Sequence, residues 1–151
     1  MNITEVLSKS ELFKDLDSEQ LNVIEKLSTP MSFEPGEVIG RQGAKNDTVF
    51  VIEEGLIAVV VEVGPLSQRQ VQAASNYDVV GWSAMILPDV YIATGKAIEK
   101  TKALAFNGQE LCDLCSSNPV IGCKVCRGVA RVVAHWLKDA YHQLLGVTYQ
   151  V

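Results

Sequence analysis

Short apolar runs alternate with turn residues through the middle of the chain. Residues 48–52 and 56–61 are two such runs, joined by Glu53-Glu54-Gly55. A glycine between two short apolar runs favours a tight turn, because glycine readily adopts positive φ. The pattern therefore predicts a β-hairpin over 48–61.

Similar runs occur on both sides of this segment. Pro35-Gly36 predicts a turn before Val38-Ile39, since proline presets the first dihedral angle of a turn and glycine suits the second. Further strands are predicted at 69–74, 78–80, 91–97 and 100–106. Short strands separated by closely spaced turns predict an antiparallel β sandwich or barrel.

Residues 78–97 change pattern several times within a short stretch. A β-branched pair leads into Gly81, a helix-forming stretch over 83–87 ends at Pro88, and a new extended run begins near Tyr91. This order predicts a strand, a glycine turn, a helical turn and another strand. The free N–H groups of such a helical turn favour an anion. The segment therefore predicts a phosphate-binding site.

A long final helix is predicted over 119–145, because Asn118-Pro119 is a start signal and Gly146 a stop signal. Its apolar residues recur at steps of three and four, in a stripe formed by Cys126, Val129, Val133, Trp136, Ala140 and Leu144. Such a stripe either packs on the sandwich or pairs with another helix.

Four segments carry a resemblance to a known family. They are Glu11-Leu12-Phe13-Lys14-Asp15-Leu16, Pro35-Gly36-Glu37-Val38-Ile39, Gly43 followed by residues 47–55, and residues 81–97. In this order they resemble the cyclic nucleotide-binding domain of catabolite-activator-type regulators, kinase regulatory subunits and gated channels, from Leu7 to about Leu145. The resemblance implies a mainly β fold: an antiparallel β jelly roll with an N-terminal helix, which Glu11 to Leu16 would open, and a long C-terminal helix. It also implies a homodimer through that last helix.

Two positions of the implied phosphate-binding cassette depart from the family's pattern. Members that bind cyclic nucleotide have a glutamate for the ribose 2′-hydroxyl where this chain has Trp82, and an arginine for the cyclic phosphate where it has Tyr91. Arginine offers a charged fork of donors, whereas tyrosine offers one neutral hydroxyl. Losing one side of a buried charge pair costs about 2 to 5 kcal/mol, so we expect weak or altered nucleotide binding.

The backbone part of the cassette does not depend on these side chains. Its N–H groups would still hold a cyclic nucleotide or another small anion, although no cofactor follows from the sequence with certainty. The expected ligand-binding residues are Gly81, Trp82, Ser83, Ala84, Met85, Tyr91, Ile92, Ala93 and Thr94. Trp82 would either stack on a ligand or fill the space of a nucleotide, and both alternatives stay open.

The four cysteines lie within 15 residues, as the pairs Cys112/Cys115 and Cys123/Cys126. Four converging thiolates would hold zinc or an iron–sulfur cluster. Zinc ribbons, however, separate their pairs by more residues, and both pairs fall in predicted helix. The spacing favours reduced thiols in the core, with a redox or metal sensor as the alternative.

Two histidines, His135 and His142, share a face of the final helix and are expected at the surface. Metal sites of the cupin type need histidines inside the barrel, and no histidine precedes residue 135. Neither a Gly-x-Ser-x-Gly elbow nor a phosphate-binding P-loop occurs. We therefore expect no enzyme.

Composition and charge narrow the remaining possibilities. With 151 residues and 48% hydrophobic content, the chain predicts one domain, divided into an N-terminal helical segment (1–29), a jelly roll (30–107) and C-terminal helices (108–146). The net charge of −5 disfavours nucleic acid, and the family's helix-turn-helix would lie beyond Val151. No apolar stretch approaches the roughly 18 residues of a membrane span, which predicts a cytoplasmic protein that does not bind membranes.

Together these features predict a stand-alone regulatory domain. Occupancy of a site between the cassette and the final helix would move that helix and change the surface offered to an unidentified protein partner. The alternatives are an interaction or dimerisation module with a filled pocket, and a thiol-based sensor.

Overall fold

Two antiparallel sheets of four strands face each other in the computed structural model, which describes residues 2–86 and 89–146. The strands are β1 (Thr29–Phe33), β2 (Val38–Gly40), β3 (Thr48–Glu54), β4 (Ile57–Gly64), β5 (Ser67–Ala74), β6 (Val79–Val80), β7 (Thr94–Ala97) and β8 (Thr101–Asn107). The first sheet has the order β1-β8-β3-β6 and the second the order β2-β7-β4-β5. The predicted antiparallel jelly roll is confirmed.

Helices cover the outer face of the first sheet. They are α1 (Ile3–Lys9), α2 (Ser18–Glu25), α3 (Gly108–Ser117) and α4 (Pro119–Leu145). A short 3-10 helix over Trp82–Met85 follows β6. Among the described residues, no helix combines the length and apolar character needed to cross a bilayer.

Strand β3 is buried on both faces and so divides the core into two layers. Val49 and Val51 point to the helices, while Phe50 and Ile52 point between the sheets. Successive side chains of a strand alternate between its faces, which explains why β3 reads as a continuous apolar run. The helices therefore pack against one face of β3, and the second sheet packs against its other face.

The predicted hairpin over 48–61 is wrong. Strand β3 pairs with β6 and β8, whereas β4 pairs with β5 and β7 in the other sheet. Gly55, at φ 136°, lies where the chain crosses between the sheets, and a side chain there would overlap Thr101. The Thr101 hydroxyl accepts a hydrogen bond from the Leu56 N–H at 3.2 Å, so Gly55 serves a sheet-to-sheet crossing.

The expectation that Glu11 to Leu16 opens the first helix is also wrong. Helix α1 begins after Asn2, whose side chain caps it, and residues 11–15 form consecutive turns. Asp17 begins the next helix, through a capping box with Gln20. Leu12, Phe13 and Leu16 have the spacing of apolar residues on one face of a helix. Their side chains are buried in the core, although the backbone that carries them is not helical.

Helix α4 has the predicted bounds, with Asn118 as its N-cap and Gly146 at φ 65° as its C-cap. The face that packs into the core consists of Ile121, Gly122, Val125, Gly128 and Val132. Around the axis of α4, this core face points in a different direction from the predicted apolar stripe. Within that stripe, Val129 and Trp136 pack at the edge of the core, whereas Cys126, Ala140 and Leu144 are exposed.

Candidate functional site

The cassette turn begins at Gly81, which adopts φ 81°. A Cβ at this position would lie 2.6 Å from the Thr48 carbonyl oxygen, so the turn requires glycine both for its conformation and for its space. The helical turn after it is a single 3-10 turn over Trp82–Met85. The predicted order of strand, glycine turn and helical turn is confirmed.

The strand after the cassette begins at Thr94, later than the predicted Tyr91. The backbone of Tyr91 is instead paired with a loop: its N–H donates to Ala44 O at 2.9 Å, and its carbonyl accepts from Gly43 N at 2.8 Å. These bonds hold residue 91 away from the sheet. The observed strand, Thr94–Ala97, is therefore three residues shorter at its start than the predicted strand over 91–97.

Asn46, which the sequence did not single out, holds the cassette turn from the neighbouring loop. Its side chain is fully buried and donates to Gly81 O at 2.9 Å and to Ser83 Oγ at 3.0 Å. Its Oδ1 accepts from the Thr48 N–H at 3.0 Å. An asparagine in a polar loop carries no sequence signal for this role, because its partners lie 35 and 37 residues away.

Aromatic side chains occupy the space in front of the turn. The Tyr91 ring lies directly on Gly40, where any side chain on residue 40 would overlap the ring. Trp82 packs edge to face against Trp136 of α4, with ring centroids 5.8 Å apart. The cavity left between these rings and the sheet measures about 20 Å³, and a buried water needs roughly 10 to 15 Å³. It has room for about one water molecule.

Six of the nine predicted site residues line this small cavity: Gly81, Trp82, Ser83, Tyr91, Ile92 and Ala93. Ala84, Met85 and Thr94 are not among its lining residues. Ala84 and Met85 pack instead against the core beneath the helices, and Thr94 Oγ1 accepts from the Gln42 N–H at 3.0 Å. The Ala84 N–H is one of the donors that the sequence predicts for an anion. In the structure it donates instead to Gly81 O at 3.1 Å.

The Tyr91 hydroxyl cannot supply the positive charge of an arginine. Burial, and to a lesser degree the neighbouring Asp47 carboxylate, raises the pKa of Tyr91 above its usual value. The phenol is therefore neutral at physiological pH and offers one uncharged donor.

The cysteines do not form a buried cluster in the core. Cys123 and Cys126 are exposed, because they lie on α4 away from its core face, while Cys112 and Cys115 are partly buried. The expectation of core thiols is thus wrong for the α4 pair. Burial raises the pKa of Cys115 to about 11, which disfavours its thiolate. Among residues 2–86 and 89–146, no three Cys, His, Asp or Glu side chains are grouped to hold a metal ion.

A second and larger cleft lies between α4 and strand β5. Its volume is about 510 Å³. His135 and His142 line it; His135 is exposed, as predicted, whereas His142 is partly buried. Asp78, also in this cleft, has its pKa raised by burial. The sequence analysis did not predict this cleft.

Comparison with known proteins shows which family the fold belongs to. Residues 30–118 match the family model of the cyclic nucleotide-binding domain. The cAMP-dependent protein kinase regulatory subunit of Dictyostelium discoideum is 30% identical over 115 residues, which are 74% of this chain and 35% of that protein. The chain thus spans about a third of the length of that curated relative.

Solved structures agree with this match. A cyclic nucleotide-binding domain from Methylobacillus flagellatus has a TM-score of 0.84 at 18% identity, covering 99% of this chain and 84% of that one. The regulatory subunit of a cAMP-independent protein kinase A from Trypanosoma brucei has a TM-score of 0.65 at 21% identity, covering 70% and 39%. With the family model matching more than half of its residues, this chain belongs to the cyclic nucleotide-binding domain family.

Proposed function

We propose that this chain is a regulatory domain of the family whose nucleotide pocket is filled by its own aromatic side chains. The observation that carries the proposal is the cassette cavity of about 20 Å³. Pockets for small molecules usually measure roughly 300 to 1,000 Å³. A cyclic nucleotide would enter only if the rings of Tyr91 and Trp82 moved out.

The chemistry of the filled pocket points the same way as its volume. Tyr91 is partly buried and neutral, and Trp82 is an indole with a single donor. Neither can pair with a cyclic phosphate as a guanidinium does, and the Trp82 indole, at the position of the family's ribose-binding glutamate, accepts no hydrogen bond from a ribose hydroxyl. We therefore expect little affinity for cyclic AMP or cyclic GMP. The T. brucei relative belongs to a cAMP-independent kinase, which supports a use of this fold without that ligand.

A regulatory domain acts by contact with another protein. The clearest surface for such a contact is the outer side of α4. Eight exposed residues alternate there at steps of three and four: Val120, Cys123, Arg127, Ala130, Ala134, Leu137, Tyr141 and Leu144. We name this set the outer row. Its spacing is that of a helix that pairs with another helix, and its two alanines permit close approach. A second copy of the same helix fits this row, so we propose a homodimer in which α4 pairs with its twin.

Calorimetric titration with cyclic AMP and cyclic GMP tests the filled pocket. We expect no saturation of the unmodified chain at micromolar nucleotide. The double variant Trp82→Glu with Tyr91→Arg restores both family side chains, removes both rings and should raise affinity by about 30-fold or more, the value of a buried charge pair. Micromolar binding by the unmodified chain would overturn the proposal.

The control is Leu66→Arg, which adds one positive charge at a fully exposed residue between β4 and β5. It should leave nucleotide binding unchanged. A double variant that folds, as judged by circular dichroism, yet gains no affinity would show that the aromatic side chains do not cause the loss.

A further inference from the structure

Three of the four cysteines lie close together where α3 and α4 meet. Cys112 and Cys115 are partly buried on α3, and Cys126 is exposed on α4. The charge of Cys126 acts on both thiols of α3. The three thiols therefore form one cluster across the junction of the two helices, and the proposed function gives them no role.

The backbones of the two helices touch within this cluster, at Gly122. A Cβ on Gly122 would lie 3.1 Å from the Cα of Cys115 and would overlap the Cys115 carbonyl group. Cys126 follows Gly122 by one turn on the same side of α4, and side chains at this spacing are about 5 to 6 Å apart. The Cys126 side chain is therefore next to the point where α4 crosses Cys115.

Electrostatics single out the same pair of thiols. Burial raises the pKa of Cys115 to about 11, and after burial Cys126 contributes more to this shift than Cys112 does. Cys112 lies only one turn from Cys115 on the same helix, so the larger effect of Cys126 indicates a close neighbour, because the interaction between charges falls with distance.

The two thiols also differ in their access to solvent. A thiol with a raised pKa is a poor nucleophile at neutral pH, and Cys115 is partly buried. Cys126 is exposed, so a soluble oxidant reaches it first.

Helix α3 contacts the cassette turn as well as α4. The Cys112 thiol donates to Met85 O at 3.7 Å, and a Cβ on Gly108 would lie 2.9 Å from the Cβ of Ala84. Helix α3 is thus in contact with both the cassette turn and α4. A covalent bond between α3 and α4 would join the helix that supports the turn to the helix that carries the outer row.

We propose that Cys115 and Cys126 form a reversible disulfide between α3 and α4, with a small disulfide such as glutathione disulfide as the oxidant. The Cys126 thiolate attacks one sulfur of glutathione disulfide, whose S–S bond breaks, and one glutathione leaves as a thiolate. The Cys115 thiolate then attacks the Cys126 sulfur and releases the second glutathione. Two protein thiols lose two electrons and two protons, and one glutathione disulfide becomes two glutathione molecules. The bond does not depend on whether the cassette pocket is filled.

Mass spectrometry tests the pairing directly. Trypsin cleaves after Lys124 and Arg127, which separates Cys126 from the other three cysteines. The folded chain is incubated with glutathione disulfide, its remaining thiols are blocked with iodoacetamide, and the protein is digested. We expect a monomer in which peptide 125–127 is joined to peptide 103–124.

Serine variants identify the partner of Cys126 within peptide 103–124. Cys115→Ser should lower the linked fraction by about tenfold or more, because a distant thiol lacks the effective concentration of a neighbouring one. Cys112→Ser and Cys123→Ser are the matched controls and should keep the link. If circular dichroism shows that Cys115→Ser does not fold, Cys126→Ser at its exposed position replaces it, and Cys115 should then stay reduced.

The same reaction in concentrated urea shows whether the fold selects the pair. In an unfolded chain the shortest loops close most readily, so Cys126 should pair with Cys123, three residues away, and the link should disappear in Cys123→Ser. An identical pattern in the folded chain, a link that persists in Cys115→Ser, glutathione that stays on Cys126 without closure, or a link between two chains would each overturn the proposal.

Discussion

A single buried amide, that of Asn46, connects the cassette turn to the rest of the molecule. Its three hydrogen bonds join the loop before β3 to Gly81, Ser83 and Thr48. Buried polar groups are expensive when they lose their partners, so this residue contributes to the shape of the site through the backbone that it holds.

Replacing Asn46 with alanine should lower the free energy of unfolding by about 2 to 4 kcal/mol, because a buried carbonyl, hydroxyl and N–H would lose their partner together. Urea unfolding followed by circular dichroism measures the change. The matched control is Asn76→Ala, since Asn76 is exposed and accepts one bond, from the Gly55 N–H at 3.1 Å. A loss no larger than that of the control would contradict the role assigned to Asn46.

At the scale of the element, α4 carries different functions on different faces. Its core face includes two glycines, Gly122 and Gly128, where the helix touches backbone directly. A Cβ on Gly128 would overlap the Leu12 backbone, lying 2.7 Å from its carbonyl carbon. The turns at residues 11–15 therefore set the position of α4, and through it the position of Trp136 beside the cassette.

Gly128→Ala should destabilise the protein by about 1 to 3 kcal/mol, since the added methyl group overpacks a backbone contact. Helix propensity alone predicts the opposite sign, a gain of about 1 kcal/mol. The same urea experiment decides between them. Ala140→Gly, at an exposed position of α4 outside the outer row, serves as the control for propensity and should cost about 1 kcal/mol; a stabilised Gly128→Ala would show that α4 does not pack closely here.

For the molecule as a whole, the outer row and the cleft between α4 and β5 lie on different sides of α4. At 3.6 residues per turn, the outer row lies on the side of α4 opposite to Val132 and Asp139. A dimer formed through the outer row would therefore leave the cleft between α4 and β5 uncovered.

Leu137→Glu should dissociate the proposed dimer, because it places a charge in the middle of the paired helices, and we expect a loss of at least about tenfold in affinity. Sedimentation equilibrium measures it. Leu66→Glu makes the same change at a fully exposed turn residue and should have no effect.

Ala140→Glu distinguishes the outer row from the apolar stripe read from the sequence, since Ala140 belongs to the stripe alone and is exposed. A dimer that survives Leu137→Glu but not Ala140→Glu would place the interface on the stripe. A chain that stays monomeric at every concentration would contradict the dimer itself.

Local patterns in the sequence determined much of this protein. The bounds of α4 follow from Asn118-Pro119 and Gly146, and the glycine turn at Gly81 follows from its flanking residues, because caps and turns depend on neighbours in the chain. The order of the turns, together with the family resemblance, was enough to predict the jelly roll. The substitutions Trp82 and Tyr91 predict weak or altered nucleotide binding, and that expectation stays a prediction until the titration is done.

Only the tertiary structure decided how these parts meet. Strands β3 and β4 lie in different sheets, although Gly55 suggests a hairpin, because their hydrogen-bond partners come from β8 and β7 much later in the chain. The Tyr91 ring rests on Gly40, and the Gln72 side chain reaches Asp139 of α4. These contacts join residues tens of positions apart, and such pairings depend on packing that no local pattern encodes.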